Sequence, residues 1–221
     1  TASITGWGHY VPERVVTNDE LAQHMDTSDE WIRSRSGIRE RRFAADNETT
    51  ATMSVESGQR ALERAGVDAA EVDLLLVASS SPDYLTPPVS SQVQEGLGLP
   101  TTGAMQLTVG CTGFVYAVVT AQQFIQTGTC DTVLVIGTEL ISRWLSRNNR
   151  STAVLFGDGS GAVVMQATDT GGVRSHVLGS DGTGAEDIIV PAGGVAEPIT
   201  HARVDNDEPT LEMNGREVFK F

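Results

Sequence analysis

Residues 105–126 contain a cysteine in a position that suits a catalytic nucleophile. Residues 105–109 form a short apolar and β-branched run that predicts a buried strand, and Gly110 ends it. The following stretch, 112–125, is apolar and almost free of charge, so it predicts a buried helix rather than a strand. Cys111 therefore lies at a strand-to-helix turn, where unpaired backbone N–H groups and the helix dipole favour the nucleophilic thiolate.

The alternative is that Cys111 is an inert, packed thiol, because free cysteine is among the most buried residue types. Two neighbouring glycines, Gly110 and Gly113, favour catalysis because they allow the backbone to bend tightly around the sulfur. Cys130 lies at the far end of the same predicted helix, beyond the reach of a disulfide. Both cysteines are therefore predicted to be free thiols, which fits a reducing cytoplasm.

A second group of residues could bind a ligand. The hydroxyl and acidic residues at 26–30 predict the start of a helix, and Gly37 predicts its end. Within this segment Thr27, Trp31 and Arg35 follow one another at intervals of four residues. An aromatic ring beside a guanidinium can hold a purine and a phosphate. Taken alone, these residues favour the simpler interpretation, an amphipathic surface helix with a half-buried Trp31.

Composition excludes several classes of protein. The 221 residues suffice for one large domain or two small ones with a substantial core. A formal net charge of −14 argues against a nucleic-acid partner, although a local basic pocket for a small anion remains compatible with it. We expect no membrane association, because the apolar runs are too short for a membrane span and no signal peptide opens the chain. Thr1 is not a methionine, so at least the initiator is expected to be missing.

Alternating strands and helices predict the fold class. Residues 1–10 predict a strand that ends in a glycine-rich turn, and 48–66 predict an ordinary capped helix. The runs 72–78 and 132–136 are typical of central strands that are covered on both faces. The polar, proline-rich loop 79–91 lies where ligand-contacting residues are common. We therefore predict an α/β fold with a mixed, mostly parallel sheet and helices on both faces.

The glycine-rich segment 157–161 resembles a phosphate-binding loop only superficially. It lacks the lysine of that motif and no helix follows it, so we interpret it as a tight hairpin between strands at 152–156 and 162–166. A further strand is predicted at 173–178. The locally basic strand at 38–43 could contact anions or could simply be solvated.

Four motifs occur in order along the whole chain: DTSDEWIRSRSGIRERR at 26–42, GCTGF at 110–114, LFGDGSGAVV at 155–164 and MNGREVFKF at 213–221. Together they resemble the β-ketoacyl-acyl-carrier-protein synthase III family, the condensing enzymes that start type II fatty acid synthesis. The resemblance implies a thiolase fold, in which two similar halves pair around a buried helix. It also implies a homodimer and a Cys–His–Asn catalytic triad.

The resemblance assigns roles to individual residues. Cys111 matches the nucleophile that an acyl-CoA primer acylates. Trp31 and Arg35 match the pair that sandwiches the CoA adenine, with Thr27 beside them. Arg150 matches a further adenine or phosphate contact.

Six other residues match positions along the path of the substrate. Thr86 and Ile141 fall near the acyl pocket, and in this family the loop that holds Thr86 reaches the pocket of the partner subunit. A small threonine there leaves room for primers longer than acetyl. The remaining residues match positions that line the pantetheine and acyl tunnel: Phe156, Met213, Gly215 and Phe219.

The family's His and Asn lie in its second half, beyond the motif at which this chain stops. The chain is therefore expected to be the N-terminal portion of a longer enzyme and not to condense by itself. Residues 1–168 are predicted to form the half with the nucleophile, and 169–221 a connecting segment and the start of the second half. A chain that ended at this point would be expected to leave Phe219 and Phe221 without other residues to bury them. None of the four histidines matches a catalytic position: His9, His24, His176 and His201.

The function implied is a Claisen condensation of an acyl-CoA primer with malonyl-acyl carrier protein through an acyl-cysteine. No metal or redox cofactor is expected, since no metal-ligand spacing of Cys and His occurs. One alternative is another thiolase-fold acyltransferase, such as a 3-hydroxy-3-methylglutaryl-CoA synthase-like enzyme or a polyketide or quinolone-type condensing enzyme. Others are a non-catalytic acyl-CoA-binding or scaffold protein, and an ordinary α/β domain with a packed Cys111.

Overall fold

The computed structural model describes residues 1–220, and Phe221 lies outside the described residues. The chain divides into two compact units that alternate along the sequence. The first unit consists of Thr1–Glu13, Ala44–Leu140 and Asp158–Leu178, and the second of Arg14–Phe43, Ile141–Gly157 and the residues from Gly179 onward. The predicted boundary between residues 168 and 169 stays a prediction.

The strands, in chain order, are β1 (Ala2–Tyr10), β2 (Val15–Thr17), β3 (Glu40–Arg42), β4 (Leu74–Ala78), β5 (Gly103–Leu107), β6 (Thr132–Leu140), β7 (Asp158–Ala167), β8 (Ile188–Ile189) and β9 (Glu212–Met213). The α-helices are α1 (Asn18–Ala22), α2 (Asp29–Ser36), α3 (Thr50–Ala65), α4 (Val89–Gly96), α5 (Gly113–Gln126), α6 (Arg150–Ala153), α7 (His201–Asp205) and α8 (Gly215–Lys220). Short 3-10 turns occupy Ala69–Glu71, Gly110–Thr112, Ile141–Trp144 and Gly182–Gly184. Within residues 1–220, no helix combines the length and the apolar character that crossing a membrane requires.

The first unit contains a five-stranded sheet in the order β1-β7-β6-β4-β5. Strands β6, β4 and β5 pair in parallel, whereas β7 is antiparallel to both β6 and β1. Only β7 therefore runs against the other four strands. This arrangement confirms the predicted mixed, mostly parallel sheet.

Helices cover both faces of this sheet. Alternate residues of β4 point to opposite faces, and both sets are buried. Leu75 and Val77 pack in one cluster with residues of α3 and α4. Leu74 and Leu76 pack in a second cluster with residues of α5. The continuous apolar run of β4 is therefore the consequence of burial on both sides, as the sequence predicted.

The glycines of β1 serve packing rather than a turn. The strand continues through Gly6 and Gly8 to Tyr10, so the predicted glycine-rich turn is wrong. A Cβ at Gly6 would lie 2.5 Å from the carbonyl oxygen of Ala61, and one at Gly8 would overlap the carbonyl oxygen of Ser57. Both oxygens belong to α3, so the absence of side chains lets the helix lie directly against the strand.

Strand β5 and helix α5 are less buried than predicted. Strand β5 is at the edge of the sheet, and its side chains are partly or fully exposed. Helix α5 buries one face through residues such as Ala117 and Ala121. Phe114 and Val115, near its first turn, are exposed. Apolar content alone does not distinguish a helix buried on one face from a helix buried all round.

Three local predictions are wrong. Residues 152–156 were expected to form a strand, but α6 ends at Ala153 and a turn follows. The glycines of 157–161 form no hairpin, because β7 begins at Asp158 and runs straight through them. Residues 173–178 form no strand; Val173 instead donates its backbone N–H to the carbonyl of Ala2 at 3.2 Å. In each case a contact distant in sequence decides the local conformation.

Four buried hydroxyl groups join α3 to β6 and β7. Ser54 contacts Thr138 at 2.7 Å, Thr138 contacts Ser160 at 2.6 Å, and Ser160 contacts Ser57 at 2.6 Å. Ser57 donates to the backbone carbonyl of Ser54 at 3.1 Å. A carbonyl can only accept, so the hydroxyls donate in one direction, from Ser54 to Thr138, to Ser160, to Ser57 and then to the backbone carbonyl of Ser54, and each hydroxyl proton has an acceptor.

Replacing Ser160 by alanine should break this circuit. Thr138 would lose its acceptor and Ser57 its donor in a buried site, which costs about 1–3 kcal/mol in the free energy of unfolding. Urea denaturation measures the loss. Ser91→Ala, at an exposed position near the start of α4, is the control and should change stability by less than about 0.5 kcal/mol. Equal stability of the two variants would contradict the proposed role of the circuit.

Tyr10 provides a prediction on pH dependence. Its phenol donates a hydrogen bond to the Glu48 carboxylate, which, with burial and the charge of Glu48, raises the pKa of Tyr10 to about 12. A raised pKa means that the folded state holds the proton more tightly, so this contribution to stability is complete below about pH 10 and disappears as the pH rises through about 12.

Ultraviolet absorbance titration measures the ionisation of Tyr10 directly. One of the three tyrosines should ionise near pH 12, and Tyr10→Phe should remove that late transition. Glu48→Gln removes the charged acceptor and should shift the transition to lower pH. A late transition that survives in Tyr10→Phe would show that another residue is responsible.

Candidate functional site

Cys111 lies in the first unit, between the end of β5 and the start of α5. It occupies the 3-10 turn Gly110–Thr112, and its thiol is free and exposed. Gly110 has φ 71°, in the left-handed region that glycine adopts at least cost. Gly113 instead has helical backbone angles, and a Cβ there would lie 3.3 Å from the Cβ of Ala78. Only Gly110 therefore shapes the turn, whereas Gly113 allows α5 to approach β4.

The two cysteines have different environments. Cys130 is 8% exposed and, like Cys111, forms no disulfide. Burial, together with the nearby carboxylates of Asp73 and Asp131, raises the pKa of the Cys130 thiol. A buried thiol of this kind reacts slowly. Of the two, Cys111 is thus the one that a substrate can reach.

The loop that follows β4 is held at its base and exposed at its tip. Ser80 donates its N–H to Glu139 Oε1 at 2.8 Å, and Ser81 donates its hydroxyl to Glu139 Oε2 at 2.7 Å. Asp83 accepts the N–H of Thr50 at 2.8 Å, at the first turn of α3. Beyond these anchors Thr86 and its neighbours Tyr84 and Leu85 are exposed. The candidate acyl-pocket residue therefore lies on a projecting tip with a fixed base.

The second unit brings together three of the predicted CoA-binding residues. Trp31 lies on α2, whose N-cap Ser28 accepts the N–H of Trp31 at 3.1 Å. The guanidinium carbon of Arg35 is 5.2 Å from the centroid of the Trp31 ring, and that of Arg150 is 4.5 Å from it. Arg150, the first residue of α6, also donates to the backbone carbonyl of Asp26 at 2.5 Å. The cluster of Trp31, Arg35 and Arg150 is called the Trp31 clamp below.

Thr27 directly follows Asp26, the residue that Arg150 contacts. Its hydroxyl oxygen is buried, and within residues 1–220 it has no hydrogen-bond partner. An unpaired buried hydroxyl is uncommon, since such groups usually find a partner. This oxygen is consistent with the predicted place of Thr27 beside a bound ligand.

The remaining candidate residues also belong to the second unit. Met213 lies on β9 and lines an open pocket of about 490 Å³ together with polar residues that include Asn149 and Asp207. Gly215 begins α8, and Phe219 on the same helix is 91% exposed. Ile141 and Phe156 are partly buried. Their assignment to the acyl pocket and tunnel stays a prediction.

Sequence reasoning missed the part played by Arg41. The basic strand at 38–43 was expected to face solvent or an anion, yet Arg41 is 7% exposed and donates to the Val16 carbonyl at 3.2 Å and to the Asn18 side chain at 2.7 Å. No signal in a single sequence distinguishes a buried arginine from its exposed neighbours.

No metal centre is found in the described part of the chain. Among residues 1–220, no group of three or more His, Cys, Asp or Glu side chains lies close enough together to hold a metal ion.

Known proteins resemble this chain in sequence and in structure. The profile of the family described as 3-oxoacyl-[acyl-carrier-protein] synthase III matches residues 105–182. Beta-ketoacyl-[acyl-carrier-protein] synthase III 1 of Bacillus anthracis is 49% identical over 219 residues, which are 99% of this chain and 65% of that protein. The chain thus spans about two thirds of the length of this relative.

Solved structures support the fold. A 3-oxoacyl-(acyl-carrier-protein) synthase III structure superposes with a TM-score of 0.92 at 35% identity and covers 100% of this chain and 69% of its own. The priming beta-ketosynthase of the R1128 polyketide biosynthetic pathway superposes with a TM-score of 0.90 at 36% identity, over 99% of this chain and 65% of its own. The expected thiolase-like α/β fold is confirmed, and the chain belongs to the β-ketoacyl-acyl-carrier-protein synthase III family.

Proposed function

We propose that the protein is an acyltransferase that condenses an acyl-CoA primer with malonyl-acyl carrier protein and so starts fatty acid synthesis. The observation that carries this proposal is the exposed, free thiol of Cys111 at the start of α5, in a chain of this family. The N-terminal end of a helix stabilises negative charge on the sulfur, which is the form that attacks a thioester.

The proposed reaction has two halves. First, the Cys111 thiolate bonds to the acyl carbonyl carbon, the bond from that carbon to the CoA sulfur breaks, and CoA leaves as a thiolate that takes up a proton. Next, malonyl carrier protein loses carbon dioxide, and the resulting carbanion attacks the acyl-cysteine. The new carbon–carbon bond forms as the Cys111 thiolate departs. These steps are thioester exchange and decarboxylation, so none of them requires a metal or a redox cofactor.

The Trp31 clamp is proposed to bind the nucleotide end of CoA. The guanidinium groups of Arg35 and Arg150 offer charge and paired donors for phosphate, and the indole offers a stacking surface for adenine. A purine stacked between Trp31 and a guanidinium needs two contacts of about 3.5 Å each, or about 7 Å in total. Arg150 lies 4.5 Å from the ring centroid, so it has to move outward for adenine to enter on its side.

We further propose a cytoplasmic homodimer in which the loop tip at Thr86 reaches the acyl pocket of the partner. The free thiols fit a reducing compartment, and the exposure of Tyr84, Leu85 and Thr86 on an anchored loop fits a segment that docks elsewhere. The short side chain of Thr86 would leave room for primers longer than acetyl.

Two other functions remain alternatives. Similarity to a priming ketosynthase of a polyketide pathway favours one of them, in which the same Cys111 chemistry supplies a secondary metabolite. The other is a non-catalytic acyl-CoA-binding protein, which would keep the Trp31 clamp and have an unreactive Cys111. Covalent labelling of the thiol separates catalysis from binding alone.

Incubation with a panel of acyl-CoAs should give one acyl adduct per chain, detected by intact-protein mass spectrometry. Peptide mapping should place the adduct on Cys111, because this thiol is exposed whereas Cys130 is buried. Cys111→Ala should abolish the adduct and Cys130→Ala should retain it. The acyl-CoA that reacts fastest identifies the preferred primer.

Iodoacetamide provides the accompanying control for thiol reactivity. It should alkylate Cys111 in the folded protein while Cys130 remains protected until denaturation. If Cys111 reacts with neither reagent, or if CoA binds without acyl transfer, the non-catalytic alternative is favoured.

Truncation of the Trp31 clamp should weaken CoA binding. Trp31→Ala and Arg150→Ala should each raise the dissociation constant of CoA roughly tenfold, since the stacking and phosphate contacts together contribute about 1–3 kcal/mol. Isothermal titration calorimetry measures the effect. The chain offers a matched control in its first unit, where Arg64 lies 3.7 Å above the Trp7 ring. Arg64→Ala makes the same change at another Trp–Arg pair and should leave CoA binding unchanged; an equal loss there would indicate a non-specific charge effect.

A further inference from the structure

The second unit contains a buried arginine whose partners are all neutral. The guanidinium of Arg41, on β3, donates to the Val16 carbonyl at 3.2 Å, to Asn18 Oδ1 at 2.7 Å and to the Val154 carbonyl at 3.1 Å. Burial lowers the pKa of Arg41. Within residues 1–220, no carboxylate pairs with this cation. Burying a charge without an opposite charge costs free energy that the three hydrogen bonds offset only in part, and the Nε of Arg41 has no partner within residues 1–220.

Arg41 is connected to the helix that carries Arg150. Its acceptor Val154 is the C-cap that directly follows α6, and Arg150 is the first residue of that four-residue helix. The chain then passes close to β3, because a Cβ at Gly157 would lie 3.1 Å from the Cβ of Arg41. The position of α6, and with it that of Arg150, therefore depends on contacts with Arg41.

Asn18 connects the same arginine to the helix that carries Trp31. Asn18 is 1% exposed, and its side-chain oxygen accepts from Arg41. Its Nδ2 donates to Asp29 Oδ1 and to the Ile38 carbonyl, each at 2.8 Å. Asp29 is the first residue of α2, and the hydrogen bond from Asn18 is the main cause that lowers the pKa of its carboxyl. The amide of Asn18 thus accepts from Arg41, which contacts the C-cap of α6, and donates to the first residue of α2.

Apolar packing around these polar contacts is limited. The core of this part of the second unit consists of four buried residues with four partly buried ones packed against them: Val16, Leu21, Ile32 and Val154, and Met25, Trp31, Ile38 and Phe43. Each of the two helices contributes few residues to this cluster: Ile32 and Trp31 lie on α2, and Val154 follows α6. Directional hydrogen bonds restrict the positions of these helices in a way that apolar contacts do not.

We propose that Arg41 and Asn18 are positioning residues for nucleotide recognition, which hold α2 and α6, the helices that carry Trp31 and Arg150, to one buried centre while the Arg150 side chain moves outward to admit adenine. The inference rests on the proposed function of the Trp31 clamp in binding CoA. Stacking falls off within about 1 Å of the optimal separation, so a small shift of either helix weakens the grip on adenine. Neither residue touches the ligand itself.

Two substitutions test the proposal, and each removes hydrogen bonds that hold one of the two helices. Arg41→Lys keeps the charge and loses the planar fork, so it cannot contact Val154 and Asn18 with the same geometry. Asn18→Asp is isosteric and keeps an acceptor for Arg41, but it loses both Nδ2 hydrogen bonds and places a second carboxylate beside Asp29. Arg42→Lys is the matched control, since Arg42 is the next residue of β3 and is only partly buried. Circular dichroism shows whether each full-chain variant is folded. If Arg41→Lys is unfolded, Asn18→Asp alone provides the test.

The readout compares CoA with a thioester that lacks the nucleotide. We expect the dissociation constant of CoA to rise about tenfold in Arg41→Lys and in Asn18→Asp and to stay unchanged in Arg42→Lys. The rate at which acetyl-pantetheine acylates Cys111 should be the same in all of them, because that thioester has no adenine or nucleotide phosphate. A structural defect would instead raise the dissociation constant of CoA and slow the acylation of Cys111 together.

The outcomes are distinguishable. Wild-type affinity for CoA in folded Arg41→Lys and Asn18→Asp overturns the positioning role, and so does an equal loss of reactivity toward acetyl-pantetheine. If the wild-type chain itself neither binds CoA nor is acylated at Cys111, the proposed function fails and this inference fails with it. Selective loss of CoA binding in both variants supports it.

Discussion

Strands β4 and β6 are buried on both faces, and this constraint moves the chemistry of the first unit to the ends of its strands. No side chain in the middle of β4 can reach water, so polar and reactive groups have to follow the last paired residue. Ala78 of β4 pairs with Leu107 of β5 and with Gly137 of β6, which brings the carboxyl ends of three parallel strands to one edge. The turn with Cys111 and the anchored loop both begin at that edge. The candidate nucleophile, Cys111, is exposed because it lies beyond the end of β5, outside the buried centre of the sheet.

Two sets of buried polar groups are joined by hydrogen bonds, one in each unit. In the first unit four hydroxyls form a circuit in which every proton has an acceptor. In the second unit Arg41 and Asn18 play the corresponding part, with a charged group in place of hydroxyls. The contrast follows from core size. In a large apolar core, a small neutral network of hydrogen bonds adds one more local contact. In a small core, polar contacts have to fix the relative positions of the helices and strands.

The sequence correctly predicted the helix ends and turns that adjacent residues determine. Thr49 and Gly66 cap α3 within the range 48–66 that was predicted as a capped helix, and α2 begins after Ser28, within the predicted start at 26–30, and ends at Gly37 as expected, because caps depend on adjacent residues only. The turn at Cys111 was placed by the same logic. The wrong predictions share the opposite property. The exposed position of β5 and the role of Gly6 depend on elements that are distant in sequence.

The residues of the candidate site also differ in how far the sequence alone could predict them. Spacing alone suggested Trp31 and Arg35, which are one helical turn apart, whereas Arg150 is more than a hundred residues away and was placed only by resemblance. The buried state of Arg41 had no signal at all, since its neighbours Glu40 and Arg42 are also charged and are not buried. Periodicity says which residues share a face, but only tertiary contacts say whether another element covers that face.

The two units consequently differ in how substitutions should affect them. The reactivity of Cys111 depends on backbone features: the start of α5, the left-handed conformation of Gly110 and the end of β5. A backbone feature is either formed or lost, so a substitution that disturbs one of them should remove the reactivity of Cys111 altogether. The proposed recognition of CoA at the Trp31 clamp depends on side chains that are held by other side chains, and each hydrogen bond can be weakened separately. Changes around Arg41 and Asn18 therefore grade affinity continuously. Under the proposed function, CoA binding can therefore be changed by substitutions that leave the candidate nucleophile intact.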